Sequence, residues 1–125
     1  MDSLNWGVVT PFLPERATDL GASEFEVTAI YAADAFFEGP TWDPVTAKLY
    51  FTSFVGAKTQ ILRLDAPGKA SLWLDKAEGA NGTYLGRDGR LLAAQAFVHR
   101  IMSYAIGPDG PTDAKVLAAD VRWFQ

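Results

Sequence analysis

Phe36-Phe37-Glu38-Gly39-Pro40-Thr41-Trp42-Asp43-Pro44 is the stretch from which the fold is read. Glu38 lies between two bulky aromatics and a Gly-Pro turn. Burying such a carboxylate costs several kcal/mol unless a cation or hydrogen-bond donors pair with it. The pattern returns at Ala80-Asn81-Gly82-Thr83-Tyr84-Leu85-Gly86, where a polar side chain again precedes a glycine and apolar residues and a turn follow. Glu38 and Asn81 stand 43 residues apart and read as equivalent positions aimed at a shared polar centre.

The residues around each copy predict short strands and turns. After Phe36–Trp42, strands are expected over Lys48–Thr52, Gln60–Asp65 and Ala70–Leu74. Asp43-Pro44 and Pro67-Gly68 supply turn chemistry between them. The series then restarts with Asn81–Leu85, Leu91–Gln95, Arg100–Ala105 and Lys115–Ala119. Asp88-Gly89 is a strong hairpin signal within it. Leu49 and Leu91 are 42 residues apart, and Ile61 and Ile101 are 40 apart. Four short strands per repeat at this period is the mark of β-propeller blades. The expected fold is therefore all-β: about two four-stranded blades of a six-bladed propeller, plus an N-terminal strand. Blade one covers about 36–76 and blade two about 80–120, within a partial propeller over 25–125. A plain β-sandwich explains the strand spacing but not the paired Glu-Gly and Asn-Gly. A helical reading fails because Gly and Pro recur and no apolar stripe of helical period persists. Upstream, Phe25–Tyr31 alternates as a half-buried strand, and residues 1–24 read as irregular.

Composition bounds the function. The chain has 125 residues, one domain's worth, and 49% of them are apolar, enough for a core. Its net charge is −4 and its basic residues are scattered, so nucleic acid and anionic membrane are poor partners. With no cysteine, disulfides and thiolate metal sites are excluded. The first 20 residues show no secretory pattern and no window suits a membrane span, so a cytoplasmic location is expected.

Glu38-Gly39-Pro40-x-Trp42, Leu49-Tyr50-Phe51-Thr52, Ile61-x-Arg63-x-Asp65, Ala80-Asn81-Gly82-Thr83 and Asp88-Gly89-Arg90-Leu91-Leu92, in that order, resemble the SMP-30/gluconolactonase/LRE (regucalcin-like) family. The resemblance runs from about Phe25 to Asp120 and covers the N-terminal portion of the family's pattern. It implies a propeller that hydrolyses a small-molecule lactone with one divalent metal ion (Ca, Zn or Mg) on its axis. It also implies that Glu38 is a metal ligand and that Asn81 contacts substrate. The family's other ligands, an asparagine and an aspartate, belong to later blades. Three departures stand out. Ser53 occupies a place where the family commonly has Asp. Gly79 occupies the place of an arginine substrate clamp. The chain ends at Val121–Gln125, before an Asn-rich third-blade motif.

Other readings compete residue by residue. Glu38 could face solvent at a strand end, and Asn81 could be an ordinary Asn-Gly turn. Asn81-Gly82-Thr83 also fits a glycosylation sequon, expected by chance here. His99, the lone histidine, reads as a solvated loop residue, and Trp42, Phe51, Trp73 and Tyr104 read as packing. Asp43, Asp65, Asp75 and Asp88 read as turn or strand-end residues. The alternative to an enzyme is a non-catalytic fragment that binds a partner or assembles as a homo-oligomer to complete a ring.

Overall fold

Eight strands form in the computed structural model, which describes residues 28–122: β1 (Phe36–Asp43), β2 (Lys48–Val55), β3 (Lys58–Ala66), β4 (Lys69–Leu74), β5 (Ala80–Leu85), β6 (Leu91–Gln95), β7 (Arg100–Ile106) and β8 (Pro111–Ala118). Among the described residues there is no helix. The strands make two four-stranded antiparallel sheets, ordered β1-β2-β3-β4 and β5-β6-β7-β8. Alternation shapes them: in β6, Leu91, Ala93 and Gln95 are buried while Leu92 and Ala94 on the other face are half-exposed.

The repeat read from the sequence is also a repeat of the ladders. Leu49 pairs with Leu64 as Leu91 pairs with Tyr104, and Thr52 pairs with Ile61 as Ala94 pairs with Ile101. Side-chain hydrogen bonds set the turns. Asp43 accepts from the Val45 N–H at 3.0 Å and from the Thr46 hydroxyl at 2.5 Å, and Asp88 accepts from the Arg90 N–H at 3.1 Å.

The two sheets share one core. Tyr50, Ile61 and Trp73 from the first meet Leu91, Ala93, Met102 and Tyr104 from the second, with Ala77 and Ala80 between. Trp73 stands edge-on to Tyr50 at 5.2 Å and to Tyr104 at 5.9 Å, ring centre to ring centre. Each such aromatic pair adds about 0.5–1.5 kcal/mol beyond the area it buries. The alanines leave the room that the indole fills. Arg63 donates to the Pro108 carbonyl at 3.3 Å and ties the sheets at one end. On the far face of the first sheet, Tyr31 and Phe37 enclose Phe51.

Several expectations change. Of the N-terminal strand over Phe25–Tyr31, residues 25–27 lie outside the described residues, as do residues 1–24. Thr28–Tyr31 carry no strand, and Ala32 makes an isolated bridge. Pairing continues through polar residues that break the apolar pattern, so β2 extends to Val55 and β3 starts at Lys58. β8 begins at Pro111 instead of Lys115, because an edge strand tolerates a residue without an N–H. Trp42 is 56% exposed, unlike Phe51, Trp73 and Tyr104, because it lies opposite Leu49 on the face that Tyr31 leaves open.

Candidate functional site

Glu38 and Asn81 lie on β1 and β5, each at a β-bulge. Glu38 pairs with Thr52, and Gly39-Pro40 then spans one ladder step before Thr41 pairs with Tyr50. In β5, Ala80 pairs with Gln95 and Gly82 with Ala94, so Asn81 is itself the extra residue. The flanking positions keep the 43-residue spacing: Phe37 and Ala80 pair with Ser53 and Gln95, and Trp42 and Leu85 pair with Leu49 and Leu91. The two bulges therefore fall in the same part of the repeat, one ladder step apart. Pro40 suits its bulge because the position forgoes a ladder hydrogen bond.

The two bulges meet. Gly39 has φ +61°, and a Cβ on it would stand 2.9 Å from the Gly82 Cα and 3.2 Å from the Asn81 carbonyl oxygen. Only glycine accepts both the left-handed backbone and that approach. Three threonines fix the contact. Thr52 donates to the Glu38 carbonyl at 2.8 Å, and Thr83 donates to the Gly39 carbonyl at 2.6 Å. The Thr41 and Thr83 hydroxyl oxygens are also 2.6 Å apart. Thr83 has one proton and gives it to Gly39, so Thr41 is the donor in that pair. The backbone beneath Glu38 and Asn81 is thus pinned, while the Glu38 side chain is half-buried and Asn81 is exposed. Among the described residues, no hydrogen bond or ion pair engages the Glu38 carboxylate.

No protein family, curated protein or solved structure matches the chain.

The end of the sheets that carries Glu38 and Asn81 also carries the turns at 56–57, 75–79 and 96–99. A shallow depression of about 160 Å³ lies among them, lined by Lys58, Thr59, Asp75, Lys76, Glu78 and Phe97. Hydrogen bonds from Gln60 and from the Lys76 N–H, with nearby lysines, hold the Asp75 carboxyl below the usual carboxylate range. His99 is exposed in the β6–β7 turn, as the sequence implied, with φ +55°. Gly79, at the place of the resembled family's arginine, has φ +74° and the Phe97 ring seated against it. A long side chain there would have to displace that ring. Among the described residues, no three His, Cys, Asp or Glu side chains gather to hold a metal ion. Glu38 offers one hard oxygen ligand of the six to eight that calcium takes. No sequence signal marks Thr41, Thr52 and Thr83 for these bonds, because their roles depend on which backbone carbonyls the bulges expose.

Proposed function

We propose that this chain forms two blades of a β-propeller and supplies part of the active site of a metal-dependent lactone hydrolase. The observation that carries the reading is the meeting of Gly39 with Gly82, which brings the bulges of Glu38 and Asn81 together on adjoining first strands. The resemblance to the gluconolactonase family agrees with it. First strands of successive blades adjoin around a propeller's axis, where such a site belongs.

Glu38 would contribute one carboxylate ligand to a calcium, zinc or magnesium ion. A bound cation of this kind polarises a carbonyl and lowers the pKa of its water. Asn81, exposed and with both a donor and an acceptor on its amide, would orient the lactone through its carbonyl and hydroxyls. Hydrolysis adds the water oxygen to the carbonyl carbon and breaks the ring C–O bond, releasing a hydroxy acid. The remaining ligands and the general base are assigned to other blades.

The test is aldonolactone hydrolysis with and without EDTA, with Ca²⁺, Zn²⁺ or Mg²⁺ added back. Chelation is expected to remove activity, E38Q to abolish its restoration by metal, and N81A to raise KM. Equal rates before and after chelation would overturn the metal-dependent reading. A second reading, a non-catalytic binding or self-assembling module, is favoured by the apolar groove beside the exposed Tyr84 ring.

A further inference from the structure

We infer that Asn81 is a site of spontaneous covalent modification: its side-chain amide closes onto the Gly82 nitrogen and hydrolyses to an acid, and the change loosens the contact between β1 and β5. The chain has two asparagines, Asn5 and Asn81, and only Asn81 precedes a glycine. Asparagine is a thermolabile residue, and a following glycine has no side chain to hinder ring closure. The structure adds three permissive features. Asn81 is exposed. It is the extra residue of the β5 bulge, so it is released from the ladder that holds an ordinary strand residue extended. Ring closure needs that release, because the side-chain carbonyl carbon must swing beside the next main-chain nitrogen. Finally, a Cβ on Gly82 would meet nothing within 4 Å, so the ring has room and water has access.

The step balances with water alone. The Gly82 nitrogen loses its proton to solvent base and attacks the Asn81 side-chain carbonyl carbon. A carbon–nitrogen bond forms there, the bond to the side-chain nitrogen breaks, and ammonia leaves. Water then opens the cyclic imide at either carbonyl. Opening at the side-chain carbonyl gives aspartate and restores the original main chain. Opening at the main-chain carbonyl gives isoaspartate, whose main chain runs through the side-chain methylene and is one carbon longer. Either product adds one negative charge to the chain's net −4. The added carbon falls immediately before Gly82, whose Cα takes the close approach of Gly39, and before Thr83, which donates to the Gly39 carbonyl at 2.6 Å. A contact too close for a methyl group on Gly39 has no slack for a longer backbone opposite it. Isoaspartate at position 81 therefore uncouples the two strands. The inference does not depend on lactone hydrolysis.

The experiment incubates the full chain, G82A and N81Q at neutral and mildly alkaline pH, with circular dichroism confirming that all three are folded. Ion exchange follows the gain of charge, and peptide mass mapping locates it. A more acidic form of the folded wild-type chain is expected to accumulate, to map to position 81 and to form faster at the higher pH. Asp88-Gly89 and Asp109-Gly110 can cyclise too, but they gain no charge and do not enter this readout. G82A should slow the conversion about tenfold or more, a barrier difference of about 1.4 kcal/mol. N81Q would have to close a larger ring and should be slower still. Folded wild-type chain that stays unchanged while urea-unfolded chain converts would overturn the inference, because the fold would then protect the site. Equal rates in wild type and G82A would overturn it as well. The isoaspartyl form, separated and compared with N81D, should unfold at lower urea, since N81D has the same charge on an unaltered main chain. Equal midpoints for those two would overturn the uncoupling of β1 from β5.

Discussion

Gly39 presses on Gly82 asymmetrically. A Cβ on Gly39 would stand 2.9 Å from the Gly82 Cα, whereas a Cβ on Gly82 would meet nothing within 4 Å. G39A combines a left-handed backbone with a clash against main chain that cannot swing aside. It should lose roughly 2–4 kcal/mol. G82A should stay within about 1 kcal/mol of the wild-type chain. Urea denaturation of both decides it, and equal losses would show that the strands do not meet here.

Thr83 has a similar one-sided role. Its hydroxyl donates to the Gly39 carbonyl and accepts from Thr41. T83V keeps the shape and removes both bonds, leaving the carbonyl and the Thr41 hydroxyl without partners. The expected loss is about 1–3 kcal/mol. T83S keeps the hydroxyl and should lose about 1 kcal/mol or less, the worth of one buried methyl. Thermal denaturation of the pair separates the hydrogen bonds from the packing.

These two contacts show what was legible in the sequence and what was not. Strand periodicity is local, so β6 over Leu91–Gln95 was readable residue for residue, and the spacing of Leu49 and Leu91 anticipated the matching ladders. The bulges were not readable. Pro40 and Asn81 announce irregularity, but the step at which a ladder slips depends on the partner strand. Trp42 reads as packing yet is exposed, because hydropathy says that an aromatic prefers cover, not that cover is present. Glu38 stands out by its neighbours in sequence, and it lies half-buried where β1 meets β5. Nothing in the sequence paired it with the threonines that hold its backbone.

Trp73 fills the space between Tyr50 and Tyr104, yet its indole N–H is buried without a partner among the described residues. W73A should cost about 3–5 kcal/mol through the cavity it leaves. W73F loses less volume and removes a polar group whose unpaired burial costs about 1–3 kcal/mol. The phenylalanine variant should therefore retain most of the stability. Equal losses for the two, measured by denaturant midpoint at unchanged slope, would mean that ring volume does not govern this part of the core.

The same aromatic core sets an alkaline limit. Burial raises the phenol pKa of Tyr50 and of Tyr104, outweighing the opposing charges of Arg63 and Arg100 and the hydrogen bond that Gln95 donates to Tyr104. Unfolded tyrosine ionises near pH ~10. Above that pH the unfolded chain releases protons that the folded chain still holds. Stability present below the unfolded pKa is thus lost as the pH rises toward the folded values. Denaturation midpoints should fall above about pH 10, together with the appearance of phenolate absorbance. Y50F removes one of the two groups and should make that decline shallower, although it also lowers stability at neutral pH. An unchanged slope in Y50F would show that Tyr50 ionises as readily in the folded chain as in the unfolded one.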